Sequence, residues 1–231
     1  MSAATTKRLY LVRHAQAEHN LAEEYFLPDA PLTDLGRMQS QELCDRTKET
    51  IQKTAELIVS SPLRRTMETM LIGFKDLKER LDHDKEGQGV ILLELLREVD
   101  DWPCNTPLYP VSVLKASNDG IFASLDFSTL SEDYASQTGI LDPVNAAERA
   151  KQVRRWLRDR PEKEIVVVAH GTILGYIVDG HRSDRGISAV SGPKNWENVE
   201  VKTYTFLSDD DEEALLSEIE QPVQPLKEFI A

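Results

Sequence analysis

An arginine and a histidine stand together at the end of a short apolar run, Leu11-Val12-Arg13-His14. A neutral imidazole can attack phosphorus, and an adjoining guanidinium can hold phosphoryl oxygens while charge is redistributed. Asn20, a few residues on, could return on the following turn and donate another hydrogen bond. The dipeptide alone fits an incidental surface pair equally well, because short motifs often mislead. Further stretches carry residues of the same chemical kind: Ser60-Ser61-Pro62-Leu63-Arg64-Arg65, Leu96-Arg97-Glu98 and Val168-Ala169-His170-Gly171.

Taken in order, with Pro31-Leu32-Thr33-Asp34-Leu35-Gly36-Arg37-Met38-Gln39 between the first two, these stretches resemble the histidine phosphatase superfamily. The branch is the one that includes cofactor-dependent phosphoglycerate mutases. The resemblance runs from about residue 8 to about residue 206, with the middle poorly matched. It implies an α/β three-layer sandwich, a mostly parallel central sheet flanked by helices, as in phosphoglycerate mutase. It makes His14 the nucleophile, with Arg13, Asn20, Arg65 and His170 forming a phosphate pocket. Arg65, not Arg64, falls on the family's arginine, and Arg64 is left for the rim or surface. Glu98 matches the carboxylate that protonates the leaving oxygen, and Asp100 or Asp101 is a credible substitute.

Two positions depart from the family pattern. The glycine that usually follows the nucleophile is Ala15, which fits if its φ is negative. The hydroxyl residue two positions further on is Ala17, so one phosphate contact is expected to be missing, with an altered rate or substrate preference. The implied activity is hydrolysis of a phosphomonoester through a phosphohistidine, without metal or cofactor, on a small phosphorylated substrate. Arg13 and Arg65 should depress the pKa of His14 and keep it nucleophilic. A phosphomutase is the enzymatic alternative, but Asp100-Asp101-Trp102-Pro103-Cys104-Asn105-Thr106-Pro107 lacks the Tyr, Gly, Lys and paired arginines of mutases. A non-catalytic module that binds phosphorylated ligands is the other alternative.

The elements that must position these residues are legible as alternating runs. Residues 8–12, 57–60 and 165–169 are short and rich in Val, Leu and Ile, as expected of strands buried on both faces. Residues 90–96 could be strand or helix, and 143–160 show helical spacing at Ala147, Ala150, Val153 and Leu157. In open α/β sheets ligands bind beyond the carboxyl ends of the strands, where Arg13-His14, Ser60-Ser61 and His170-Gly171 would all lie. Ser61 is expected to cap the next helix with Pro62 at its first position. Gly171 would open a helix whose N–H groups face an anion, although a tight turn explains a glycine equally well. Residues 100–142, rich in Pro and Gly, read as an insertion or lid. Trp102 and Tyr109 lie in it, either as pocket lining or as packing. Residues 184–198 read as a loop before a final strand at 199–206.

The composition sets the outer bounds. A catalytic domain at 1–207 would be followed by an acidic tail at 208–231, which holds eight acids against Lys227. Leu215, Leu216 and Ile219 could let part of that tail dock as a helix. The net charge of −13 argues against nucleic acid and anionic membranes as partners. Neither a signal peptide nor an apolar run of roughly 18 residues is seen. Cys44 and Cys104 are too few for a disulfide framework, and Cys104 has no adjacent base. A cytoplasmic protein is expected, with the nucleus also open, and the oligomeric state is left open. His19 does not share a helical face with His14, no metal site is expected, and His83 and His181 are read as solvated or structural.

Overall fold

Runs of β-branched and leucine side chains that are apolar at every position can only be satisfied by a sheet covered on both sides. The computed structural model, which describes residues 3–22, 24–84, 89–179 and 196–219, has that arrangement. In chain order the elements are β1 (Arg8–Arg13), α1 (Glu18–Ala22), α2 (Asp34–Thr47), α3 (Ile51–Thr54) and β2 (Leu57–Ser60). Next come α4 (Arg64–Gly73), α5 (Lys75–His83), β3 (Val90–Leu92), α6 (Val111–Ala116) and α7 (Ala146–Asp159). The last are β4 (Glu164–Ala169), α8 (Gly171–Val178), β5 (Val201–Phe206) and β6 (Leu216–Ile219).

The six strands form one mixed sheet in the order β3-β2-β4-β1-β5-β6. The pairs β3–β2, β2–β4 and β4–β1 are parallel, and β1–β5 and β5–β6 are antiparallel. Successive side chains of the central strands go to opposite faces. Tyr10, Val12, Ile58, Val166 and Val168 pack with Leu43 of α2, Met67 and Met70 of α4 and Leu77 of α5. Leu9, Leu11, Val59, Ile165 and Val167 pack with Val153 and Leu157 of α7 and Ile173 and Ile177 of α8. The result is the three-layer architecture.

Several local expectations are corrected. Residues 90–96 split into a short strand and a 3-10 turn, Glu94–Leu96, so each reading holds for part of the segment. The helix after β2 begins at Arg64 instead of Pro62, and Ser61 does not cap it. Its first N–H group is taken by a distant carboxylate, Asp29 Oδ1, which accepts from Arg64 N at 2.8 Å. Arg64 is no surface residue either: its Nε donates to the Asp29 carbonyl at 2.7 Å.

The segment expected to hang off as a tail or to dock as a helix instead adds an edge strand, β6, paired with β5 through residue 219. The basic face of α7 explains why the acidic run is held. Arg154 Nε donates to the Glu213 carbonyl at 2.8 Å, Arg155 Nε to that of Glu212 at 2.6 Å, and Arg158 Nη1 to that of Asp211 at 2.6 Å. Asp209 ties back to the first residues, accepting from Thr5 N at 2.9 Å. Residues 100–142 are part of the core as well, since Leu114, Phe122, Leu125, Phe127 and Tyr134 join the cluster on the α2, α4 and α5 side. Most of the loop expected at 184–198, and His181, lie outside the described residues. Among the described residues no helix is long and apolar enough to cross a membrane.

Candidate active site

The sheet register alone places two histidines side by side. Arg13 on β1 pairs with Ala169 on β4, and His14 N donates to the Ala169 carbonyl at 3.0 Å, so His14 and His170 leave adjacent parallel strands together. Their ring centroids are 5.1 Å apart. Strand β2 lies on the other side of β4, and Ser61 N donates to the Val168 carbonyl at 3.0 Å. That brings Ser61 Oγ to 2.9 Å from His170 Nε2, which is where the hydroxyl expected to cap α4 is used.

His14 is buried, and its hydrogen bonds fix its tautomer. Nδ1 lies 2.6 Å from the Ala15 carbonyl, which can only accept, so Nδ1 carries the proton. Nε2 therefore holds the lone pair, and Arg65 Nε donates to it at 3.3 Å. Burial, then the charges of Arg65 and Arg13, and then His19 push the His14 pKa well below its ordinary 6.5. The cations act in the expected direction, but desolvation is the largest cause. His170 is depressed likewise, by burial first and Arg65 second. The backbone after the nucleophile accommodates Ala15: the described non-glycine residues with positive φ are Asp29, Asn118, Asp119, Val199 and Ala214. Ala15 N donates to Thr69 Oγ1 at 3.0 Å, one turn along α4 from Arg65.

Arg65 is fully buried on α4 and is aimed by the segment that follows Glu98. Its Nη1 donates to the Cys104 carbonyl at 2.6 Å and its Nη2 to Asn105 Oδ1 at 2.7 Å. Arg13 Nη1 donates to the Trp196 carbonyl. Among the described residues, the Nε of Arg13 and the Nδ1 atoms of His170 and His19 are buried without a hydrogen-bond partner. Buried donors are seldom left so, because each unsatisfied one costs about 1–3 kcal/mol.

Glu98 faces the start of α8. Its Oε1 accepts from Ile173 N at 3.0 Å and its Oε2 from Thr172 N at 3.2 Å. The backbone donors expected to face an anion at this helix end are therefore partly occupied by a carboxylate. Gly171 lies against Arg13, where an added Cβ would meet Nε at an ordinary 3.7 Å, so close packing does not demand a glycine there. Asp100 is half-buried, and burial, followed by Glu98 and Asp101, raises its carboxyl pKa. Asn20, expected to reach the phosphate, has both ends of its amide engaged locally, with Ala17 N and His19 Nε2.

The sequence reading missed His19, Thr69 and Asn105, and gave Ser61, rightly placed at this end of the sheet, a helix cap in place of its contact with His170. His19 is the largest omission: it is 8% exposed and its ring lies 5.8 Å from that of His14. Helical-face spacing did not apply to it, because residues 14–16 are irregular and α1 starts only at Glu18. The run His14 to Asn20, read as one loop folding back, was the available signal. Trp102 and Tyr109 are neither core nor buried lining. Both are exposed, and Trp102 contacts Phe26 edge-on at 5.5 Å. Cys104 is buried, and burial raises its thiol pKa.

A sequence model of the histidine phosphatase superfamily, branch 1, matches residues 9–100. A putative phosphoserine phosphatase of Hydrogenobacter thermophilus is 31% identical over 74% of this chain and 77% of its own length. A probable phosphatase of Schizosaccharomyces pombe is 27% identical over 91% of this chain and 95% of its own. Among solved structures, the ecdysone phosphate phosphatase of Bombix mori, in complex with tungstate, superposes with a TM-score of 0.60 at 16% identity, covering 97% of this chain and 96% of that one. A mycobacterial glucosyl-3-phosphoglycerate phosphatase gives 0.54 at 22% identity, covering 94% and 100%. The two structures share the fold.

Proposed function

Because this chain belongs to the histidine phosphatase superfamily, we propose that it hydrolyses a phosphomonoester through a phosphohistidine on His14. The observation that carries the reading is the neutral His14 Nε2 lone pair, set among buried nitrogens of Arg13, His19 and His170 that lack partners among the described residues. Preorganised donors are worth most where charge develops and water is excluded.

In the first step the Nε2 lone pair attacks phosphorus as the bond to the leaving oxygen breaks, and that oxygen takes a proton from a carboxylic acid. Glu98 is the assigned acid, and the raised pKa of Asp100 makes it the rival. In the second step water attacks the phosphohistidine and gives its proton to the same carboxylate. The N–P bond breaks, and inorganic phosphate leaves. Arg13, Arg65 and His170 hold the phosphoryl oxygens in both steps, so the scheme calls for no metal. Ser61 can donate to or accept from His170 Nε2, which leaves the ring free to present Nδ1–H.

Turnover of a generic aryl phosphate tests the proposal. Hydrolysis should be lost in His14→Ala, and acid-labile phosphate should be trapped on the wild-type chain and not on that variant. Release of an isomerised phosphate ester would favour a mutase. Saturable binding with no turnover by the wild type would favour a ligand-binding module. Phosphoserine, after the Hydrogenobacter relative, is a reasonable first member of a metabolite screen.

A further inference from the structure

Asn20 and His19 sit next to each other on α1, and their hydrogen bonds fix which nitrogen of the His19 ring carries the proton. Asn20 Oδ1 accepts from Ala17 N at 3.0 Å, which orients the amide. Its NH2 group then faces His19 Nε2 at 3.2 Å. An amide nitrogen can only donate, so His19 Nε2 must be the bare nitrogen. The ring is neutral, since burial, Arg65 and Arg13 push its pKa to about 3. Its single proton therefore lies on Nδ1, the atom that is buried with no partner among the described residues.

We propose that His19 supplies a phosphoryl hydrogen bond through Nδ1–H, and that Asn20 is its positioning residue, one N–H of its amide fixing the tautomer that makes this possible. Two observations converge on this assignment: the buried donor with no partner among the described residues, and the 5.8 Å separation of the His19 and His14 rings. The donor also replaces the contact expected to be missing at Ala17. A purely structural histidine would have both ring nitrogens satisfied within the protein.

The inference rests on the phosphatase reading for its kinetics but not for its binding arm. His19→Phe keeps a ring and removes the donor, so kcat/KM should fall about 10²-fold. Orthovanadate binding, measured by calorimetry, should weaken with it. His19→Asn carries an N–H on the atom next to Cγ, where Nδ1 stands, and should recover at least about tenfold of that loss. Asn20→Asp offers an oxygen that accepts from Nε2–H and moves the lone pair to Nδ1. Its activity should be poor near neutral pH and rise as pH falls, when the ring takes a second proton. Arg65 and Arg13 oppose that proton, and His14 and His170, which also interact with the ring, are themselves held neutral, so recovery belongs on the acid side.

Wild-type kcat/KM and orthovanadate affinity in His19→Phe would overturn the inference, as would an Asn20→Asp pH profile parallel to wild type. Should His19→Phe fail to fold, the Asn20→Asp profile and the His19→Asn variant decide. A wild-type chain without turnover would sink the proposed function instead, and the orthovanadate affinities would still decide the role of His19.

Discussion

Gly36 couples the nucleophile loop to α2, and enlarging it should disturb catalysis from a distance. It stands in the first turn of the helix, where an added Cβ would lie 3.0 Å from the Gln16 carbonyl carbon, 3.3 Å from its nitrogen, and inside its oxygen. Gln16 has nowhere to go. Its N–H donates to Gln39 Oε1 at 2.9 Å and its carbonyl accepts from Thr33 N at 3.1 Å, so the helix that would push it also holds it. On the other side Ala15 N is fixed to Thr69 Oγ1 at 3.0 Å. Relief of the overlap in Gly36→Ala therefore needs a shift of about 1 Å carried into Ala15 and His14, and a misplacement of that size lowers kcat/KM roughly 10²-fold. Overpacking adds a loss of about 1–3 kcal/mol, read as roughly 2–4 °C of Tm per kcal/mol in a domain of this length. Aryl phosphate kinetics and calorimetry measure the two effects. A variant with wild-type kcat/KM and Tm would mean that loop and helix move apart freely, and the coupling argument would be refuted.

Asn105→Ala should remove one of the two acceptors that aim Arg65 and lower kcat by about tenfold to 10²-fold, with orthovanadate affinity falling alongside; an unchanged kcat would mean that the Cys104 carbonyl suffices. The nucleophile stays neutral well below pH 6.5, so the acid limb of kcat/KM should lie below that value. Glu98→Gln should slow esters with poor leaving groups far more than aryl phosphates; that pattern of loss in Asp100→Asn instead would move the proton donor to Asp100, whose pKa is raised. Asp29 is buried with a pKa raised from 3.8 to about 6, chiefly by desolvation. A carboxyl raised on folding gives stability that is complete below pH 3.8 and lost as pH rises through about 6, on the order of 3 kcal/mol here. The Tm of wild type minus that of Asp29→Asn should accordingly decline across this window, and a flat difference would show that Asp29 titrates normally.

Sequence alone made the central sheet and its outlet legible because both depend on strong local signals. Apolar runs named β1, β2 and β4, and polar residues directly after them put Arg13, His14, Ser61 and His170 at one end of the sheet. What escaped depends on contacts distant in sequence. Asp29 caps α4 from another segment, so the expectation that Ser61 would do so failed although the residue type was right for a cap. Residues 208–219 read as a solvated tail on charge, but the arginines of α7 bind the carbonyls of that run and β5 offers an edge to pair with. His19 was judged by helical spacing from His14, although residues 14–16 are irregular and α1 starts only at Glu18, while its tautomer needed the amide of Asn20.

The placement of β1 bears on how the protein is made. The strand leading to the nucleophile is synthesised well before either of its neighbours: Arg8 pairs with Glu164, and Val12 with Val201. At translation speeds of about 5–20 residues per second, the growing chain holds this apolar ribbon unpaired for on the order of ten seconds or more. Unpaired ribbons of this kind invite pairing with other chains. Nascent polypeptides arrested before β4 emerges should therefore be inactive and should engage chaperones, and activity should arise only once β4 and β5 have both emerged.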